Sequence, residues 1–534
     1  MSESFIRKCV ESGLNIRDRD FDNYLRDESK FTGHAEAVIV AASESDVAIA
    51  IHVGNETDTP ITIASGRTSL TGAPVPLGGV VLDIKELSSM NPADPNKVGP
   101  GAILKEYKEF VDSLGFFYPP DPTSEDSCTI GGNVACNASG ALSYLYGPTR
   151  NYIEGLKIVL PTGFTLNLKR EAVLAENGQF KVPRHLLEPN PVSDLTIPAP
   201  DWDTPPWEVL KNVAGFYSNE HMDLVDLFIG SEGVLGAIVE ITTKLLVKRR
   251  PYFSMIIFVP DLEMTVSFVS ILNMLRLLNS PLVMSDSGNN QKKLCFPTQS
   301  FNGIEWSDFP LVLPSCMEWF GNSTATLLPD EHAHVLKRFY GAIFVEQEYD
   351  DPERMIEAAE QWSALIEHVN CSHKVTGKKI QTQVALNAKQ SRAFRNLRQS
   401  VPEKLNDRIH PGFTKIGSDF SVPTDKLEDL LRMYEQYLPE QYSYVFGHIG
   451  NCHLHANMLP RTQFELQKAQ DVMFEMSSKI VSLGGSIAGE HGIGKIKSKY
   501  LEMAVGNRAV RQMKRIKRSL DPKNILNRHT LFCE

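Results

Sequence analysis

The chain has 534 residues, of which 42% are hydrophobic and 22% charged, with a net charge of −11 and a sequence pI near 5.8. That length exceeds one ordinary core and predicts two or three domains. The acidic balance excludes nucleic acid as a main partner, because phosphate binding needs clustered Lys and Arg. Eight scattered cysteines without a C-x-x-C pair exclude the usual iron–sulfur and zinc-ribbon spacings and do not suggest a disulfide framework. Reduced thiols are therefore expected. The segment Met1–Arg7 lacks the apolar stretch of a signal peptide, and no apolar run is long enough to span a bilayer. A cytoplasmic location, with at most peripheral membrane association, is the expectation.

Residues 36–98 read as an α/β unit. Ala37–Ala41 is a short apolar strand, Ser43–Val53 a helix with a capping-type start, and Pro60–Ala64 and Val80–Ile84 are further strands. Gly101–Leu114 reads as a helix and Pro119–Gly147 as a glycine-rich block, followed by strands at Leu156–Leu160 and Thr165–Leu168. Residues 170–210, rich in Pro, Asn and Asp, read as an irregular insertion. The alternating strand Ala237–Leu246 precedes Lys248-Arg249-Arg250-Pro251, the best candidate boundary. Beyond it, Phe253–Val259, Leu262–Leu278, Ala342–Glu346 and Glu353–Val369 alternate strand-like with helix-like, which predicts an α+β domain with helices on one side of a sheet. The basic run Arg508–Arg518 carries Val510, Met513, Ile516 and Leu520 at helical spacing and reads as a solvated amphipathic face. Asp521–Asn527 closes that helix before a short tail.

Three glycine-rich segments follow apolar runs. In Ser65-Gly66-Arg67-Thr68-Ser69-Leu70-Thr71-Gly72, small residues allow close backbone approach, hydroxyls can donate to phosphate oxygens, and Arg67 can add charge. An ordinary turn between strands explains it equally well. Ser127–Gly140, dominated by small side chains, suits a large flat ligand lying against backbone better than it suits a core. Gly230-Ser231-Glu232-Gly233-Val234-Leu235-Gly236 can turn tightly before a strand. None is a G-x-G-x-x-G or Walker A loop.

Two stretches near the C-terminus carry clustered histidines: Gly447–Asn457, with His448, His453, His455 and Asn457, and Ala488–Gly494, with Glu490 and His491. In a strand His453, His455 and Asn457 project from one face. Imidazoles joined by a carboxylate are what a borderline divalent cation such as zinc needs, provided the two stretches meet in space.

Taken in order, S-G-R-T-S-L-T-G at 65–72, C-T-I-G-G-N-V-A at 128–135, G-S-E-G-V-L-G at 230–236, G-H-I-G-N-C-H-L-H-A-N at 447–457, G-E-H-G-I-G at 489–494 and D-P-K-N-I-L-N at 521–527 resemble the FAD-linked oxidase superfamily. Within that superfamily the motifs resemble those of the D-2-hydroxyacid dehydrogenases, which act on D-lactate, glycolate or D-2-hydroxyglutarate. The resemblance implies an α+β fold with a PCMH-type FAD-binding domain of two subdomains over about 1–250. It implies a cap domain with an antiparallel sheet over 251–500, and a C-terminal segment, 501–534, that returns to the first domain. It implies noncovalent FAD held by Ser65, Gly66, Arg67, Thr68, Ser69, Leu70, Thr71, Pro120, Asp121, Ser127, Thr129, Gly131, Gly132 and Asn133. Ala138, Ser139, Gly140, Gly147, Glu232, Gly233, Gly236, Ile238 and Asn527 complete that set. It implies a divalent metal, commonly zinc, on His448, His455 and Glu490, with Asn457 and His491 at substrate positions and His491 as base.

The chain departs from the resemblance at His453, where the relatives carry asparagine; an extra ligand, a substrate contact and an unconnected replacement all stay open. Arg398 is the candidate for the substrate carboxylate, with Arg395 beside it and Lys415 a weaker candidate. The implied reaction oxidises a D-2-hydroxy acid to the 2-oxo acid, with hydride passing to flavin N5 and electrons to a separate acceptor. Electron-transferring flavoprotein, a quinone and an iron–sulfur subunit are the candidate acceptors, and a homodimer is the assembly expected. An alkyl-dihydroxyacetone-phosphate synthase-like enzyme and a catalytically silent flavin subunit are the alternatives.

Overall fold

The computed structural model describes residues 3–278, 300–301, 304–305, 312–349, 351–372 and 377–533. Cys295 lies outside them, and the other seven cysteines are free thiols.

The N-terminal part holds two sheets. The first has four strands in the order Asn15–Arg17, Ala37–Val40, Val80–Asp83, Ile61–Ala64, parallel except for the first pair. Ala37–Val40 and Val80–Asp83 are near-continuous apolar runs, buried throughout because both faces are covered. The helix Glu44–Thr57 begins at a capping box, with Ser43 accepting from Asp46 N–H and Asp46 capping Ser43 in return. The second sheet is antiparallel with five strands, in the order Leu187–Glu188, Thr165–Lys169, Ile153–Val159, Ala237–Thr243, Lys97–Val98.

The insertion expected to be irregular over 170–210 contains regular structure. Gln179–Val182 pairs antiparallel with Leu195–Pro198, and Leu187–Glu188 edges the five-stranded sheet. Alternate residues Phe180 and Val182 are buried in the same core as Ile197, so a two-residue period was present within a polar, proline-rich stretch.

The C-terminal sheet has the order Gln381–Val384, Tyr252–Val259, Gly341–Glu348, Cys316–Gly321, Ser443–His448, His453–Met458, Ile416–Gly417, with Phe420–Ser421 also paired to His453–Met458. Every pairing is antiparallel. The expectation of helices on one side of this sheet is corrected. Met255, Ile257 and Val259 pack under Leu262–Leu278, Pro352–Ser372 and Leu427–Tyr437, whereas Ile256 and Phe258 pack with Leu397, Val401 and Leu405 of Ala388–Asn406. An unbroken apolar strand signals two covered faces. That second helix carries Arg398 toward the N-terminal part.

The chain then returns. In the helix Leu501–Leu520, kinked at Gly506, Ala509, Met513, Ile516 and Leu520 are buried while Arg508 pairs with Asp201 at 2.7 Å. Val510, expected on the apolar stripe, is only partly buried. Asp521 accepts from Ile525 and Leu526 N–H at 2.9 Å each. Ile525 and Leu526 enter the core of the four-stranded sheet, and Ile61 N–H donates to Ile525 O at 2.7 Å.

The third glycine-rich segment is anchored by charge. Asp226 takes Arg150 and Arg170 at 2.7 Å each, and Arg150 also donates to Ile229 O at 2.7 Å. Burial would raise the Asp226 carboxyl, but the two guanidiniums hold it below its ordinary value. Asp226→Asn leaves two half-buried cations short of their partner and is expected to cost about 3–5 kcal/mol, measurable as a lower denaturant midpoint. An unchanged midpoint would show the cluster to be energetically idle.

Candidate active site

Strand register builds the histidine face. His448 lies directly opposite His453 across the Ser443–His448/His453–Met458 ladder, and Phe446 opposite His455. Opposite residues in an antiparallel pair share a face, so His448, His453, His455 and Asn457 all point away from the core that holds Leu454, Ala456 and Met458.

The loop Ala488–Gly494 brings Glu490 onto this face. Glu490 Oε1 lies 3.1 Å from His455 Nε2, and Oε2 lies 3.2 Å from His448 Nε2 and 2.7 Å from Lys211 Nζ. Burial would raise this carboxyl, yet Lys211, His448 and His455 hold it well below the usual carboxylate range. His448 Nδ1 pairs with Glu318 Oε1 at 2.6 Å. Burial opposes a charge on His448, but Glu318 and Glu490 lift its pKa to about 9.

Asp419 sets the loop. Its carboxylate accepts from the backbone N–H of Glu490 and His491 at 3.2 and 3.0 Å, from Lys497 Nζ at 2.9 Å, and meets His453 Nε2 at 2.8 Å. His491 stacks on His455 with centroids 5.0 Å apart; its Nδ1 is 3.6 Å from Asp419 and its Nε2 3.5 Å from Glu490. Burial depresses its pKa to about 4 despite Asp419, so the ring is neutral at pH 7.

Of this cluster, His448, His455, Glu490, His491, Glu318 and Asp419 line a cavity of about 1400 Å³, larger than the roughly 300–1,000 Å³ of ordinary ligand pockets. The glycine segments line the same cavity: Ser65 to Leu70, Ser127, Thr129, Gly131 to Asn133, Ala138, Ser139, Glu232, Gly233, Gly236, Ile238 and Asn527, and Ser139 Oγ donates to Glu490 Oε2 at 3.1 Å. Two of them touch, since a Cβ on Gly66 would sit 2.9 Å from Ser127 O. Asn527 seals the third, accepting from Ile63 N–H and donating to Glu232 O at 2.8 Å each. Ser65 Oγ is buried in this lining without a hydrogen-bond partner, as a donor awaiting an acceptor would be. The size and the glycine lining fit a dinucleotide such as FAD.

Some expected contacts fall elsewhere. Arg67 lines the cavity, but its guanidinium lies 4.3 Å over the Tyr24 ring, so its charge is partly engaged. Thr71 is off the wall; its Oγ1 donates to His491 O and its carbonyl accepts from Lys495 N–H at 2.9 Å, so it pins the histidine loop. Pro120, Asp121 and Gly140 are also off the wall: a Cβ on Gly140 would meet Asp121 O at 2.1 Å, and Asp121 lies 3.9 Å from Arg398. Gly147, with φ of 78°, ends the short helix Ser143–Tyr146 beside Asn151 and is not among the residues lining the cavity.

On the substrate side, Arg398, Asn457 and Lys415 line the cavity. Arg398 is buried, 3.5 Å from Glu318. Asn457 is buried, and its Nδ2 has no hydrogen-bond partner. Lys415 Nζ donates to Asn406 at 2.9 Å. Arg395 does not join them: it is bound to Glu346 at 2.6 Å and stacked over Tyr252.

Glu318, Asp419 and Lys211 were missed as functional residues by sequence reasoning. Glu318 lies in a buried strand, Asp419 beside a two-residue strand, and Lys211 just past the insertion, positions without periodicity or motif to mark them. The one available signal was charge within an apolar stretch, as in Cys316-Met317-Glu318-Trp319-Phe320.

Residues 35–169 match the FAD binding domain family, and residues 312–531 match the FAD linked oxidases, C-terminal domain. Among curated relatives, the chain is 26% identical to glycolate oxidase subunit GlcD of Bacillus subtilis, over 93% of this chain and 89% of that one. It is 27% identical to a D-lactate dehydrogenase of Anaerostipes hadrus, over 99% and 96%. With a D-2-hydroxyglutarate dehydrogenase of Stutzerimonas stutzeri it shares 26% identity over 99% and 98%. Its fold is similar to that of p-cresol methylhydroxylase, with a TM-score of 0.67 at 14% identity over 99% of this chain and 97% of that one. An alkyldihydroxyacetonephosphate synthase has the same fold, with a TM-score of 0.60 at 13% identity over 99% and 84%. With an FAD binding domain and an FAD linked oxidases C-terminal domain matched in one chain, the protein is an FAD-linked oxidoreductase related to D-lactate, glycolate and D-2-hydroxyglutarate dehydrogenases.

Proposed function

We propose that this chain oxidises a D-2-hydroxy acid, of the D-lactate, glycolate or D-2-hydroxyglutarate kind, to the 2-oxo acid. The observation that carries this reading is the convergence of His448, His455 and Glu490, with His491 stacked beside them, on a cavity that three glycine-rich segments also line. The donor set fits a divalent cation, with zinc the first candidate: two ring nitrogens face one carboxylate, and each ring's other nitrogen is held, by Glu318 or by Ser418 O. When bound, FAD offers a hydride acceptor and the cation offers Lewis-acid polarisation of the substrate's oxygens.

His491, neutral at pH 7, takes the proton from the substrate hydroxyl on a ring nitrogen. Arg398 pairs with the substrate carboxylate, and Asn457 Nδ2 donates to a substrate oxygen. Lys415, further along the cavity, has its pKa lowered by burial and supplies a second positive contact. Asp419 holds the loop bearing His491 and Glu490 in register with the strands. Electrons then leave to a separate acceptor: an electron-transferring flavoprotein, a quinone or an iron–sulfur subunit. No helix among the described residues is long and apolar enough to cross a membrane.

The test is anaerobic mixing of the metal-analysed flavoprotein with a panel of D- and L-2-hydroxy acids while flavin absorbance is followed. Rapid bleaching by D-acids that is lost on chelation is the expected result. An unbleached flavin with every acid, in protein holding both flavin and metal, would sink the reading.

A further inference from the structure

We propose that His453 is a fourth protein ligand of the cation site, so that this chain offers three imidazoles and one carboxylate. The inference rests on the metal reading above and deepens it.

Three observations carry it. The first is position. His453 faces His448 across the ladder and precedes His455 by two residues, with ring centroids 5.4 and 4.6 Å away. One ligand atom from each of His448, His453, His455 and Glu490 can be chosen so that all lie within 4.8 Å of one another. Ligands at about 2.1 Å from one ion stand at most about 4.2 Å apart, so the four groups are gathered close to the spacing that one ion requires.

The second is the use of the ring nitrogens. His448 spends Nδ1 on Glu318 and His455 spends Nδ1 on Ser418 O, leaving both Nε2 atoms for Glu490 and the ion. His453 follows the same rule with the nitrogens exchanged: Nε2 meets Asp419 at 2.8 Å, and Nδ1 is buried with no hydrogen-bond partner. A neutral imidazole that donates from one nitrogen to a carboxylate presents the other as a lone pair, the arrangement of a metal-bound histidine. A histidine kept only for packing would leave that lone pair unsatisfied in a fully buried place.

The third is the room made for the ring. A Cβ on Gly489 would lie 2.5 Å from His453 Cδ2 and Nε2, so the ring fits only against glycine. The same Asp419 that holds His453 also holds the backbone of Glu490, which couples the placement of two ligands. Four protein ligands fill a tetrahedral shell. A cation here must therefore accept five or six ligands to take a substrate oxygen, which favours a divalent first-row ion tolerant of that expansion.

The experiment uses the full-length flavoprotein, stripped of metal and reloaded with Zn²⁺ or Co²⁺, as wild type, His453→Asn and Asp419→Asn. Zinc affinity is read by chelator competition, Co²⁺ geometry by visible absorption, imidazole count by X-ray absorption of the zinc-loaded wild type, and folding by FAD content. The expected result is three imidazoles in the wild type, an affinity loss of at least about tenfold with an altered cobalt spectrum in His453→Asn, and a loss of about 10–100-fold in Asp419→Asn. The imidazole count needs no variant, so a misfolded substitution does not spare the proposal. Wild type that binds metal through two imidazoles, with His453→Asn unchanged in affinity and spectrum, would overturn it while leaving the metal reading intact. Wild type that binds no metal would overturn both.

Discussion

Replacing Glu490 with Gln is expected to lower kcat/KM for the hydroxy acid about a thousandfold, or about 4 kcal/mol of transition-state stabilisation. Glu490 is the carboxylate shared by His448, His455 and Lys211. Its charge neutralises a lysine whose side chain is 0% exposed, and under the proposed function it would also complete the donor set for a cation. The amide keeps the shape and can still accept from Lys211, but leaves that cation uncompensated; breaking a buried pair costs about 3–5 kcal/mol. Metal content is therefore expected to fall to a small fraction of the flavin content, while FAD, held mainly by the glycine segments, stays bound. Metal analysis, flavin absorbance and stopped-flow reduction read the three quantities separately. Near-normal flavin reduction by the variant would contradict the role assigned to Glu490.

Changing His491 to Asn is expected to slow flavin reduction about 10²–10⁴-fold with little change in metal or FAD content. The side chain touches Asp419 and Glu490 only at 3.5–3.6 Å, so its loss leaves the donor set in place. The pH profile gives the sharper test. A base must be unprotonated to act, and burial has moved this ring from 6.5 to about 4. Activity limited by His491 therefore falls only as pH drops toward 4 and stays flat through 6.5, where an ordinary histidine would lose it. In His491→Asn the residual rate loses that acid limb. A wild-type profile that bends near 6.5, or a variant that retains the limb, would assign the proton to another group.

Much of the site was legible because its signals are local. Alternation of His453, His455 and Asn457 needs only a strand, since successive side chains point to opposite faces. The three glycine segments needed only their composition. The helix face of Met513, Ile516 and Leu520 follows from the 3.6-residue period, and those residues are buried as that spacing predicts. The apolar run at Phe253–Val259 was recognisable as strand, but its second covered face was not inferred, and a helix was consequently missing from one side of the expected sheet.

What the chain by itself determined, then, is which short stretches are strand, helix or glycine-rich loop, and which chemical groups each carries. Tertiary structure alone decided which groups meet. Glu490 reaches the histidines through Asp419, 71 residues earlier, and is neutralised by Lys211, 279 residues earlier, while His448 is oriented by Glu318, 130 residues away. Such pairings leave no periodic trace. A buried carboxylate is stabilised by whichever cation or N–H the fold delivers to it, and that delivery depends on loop closure and sheet order rather than on neighbouring residues.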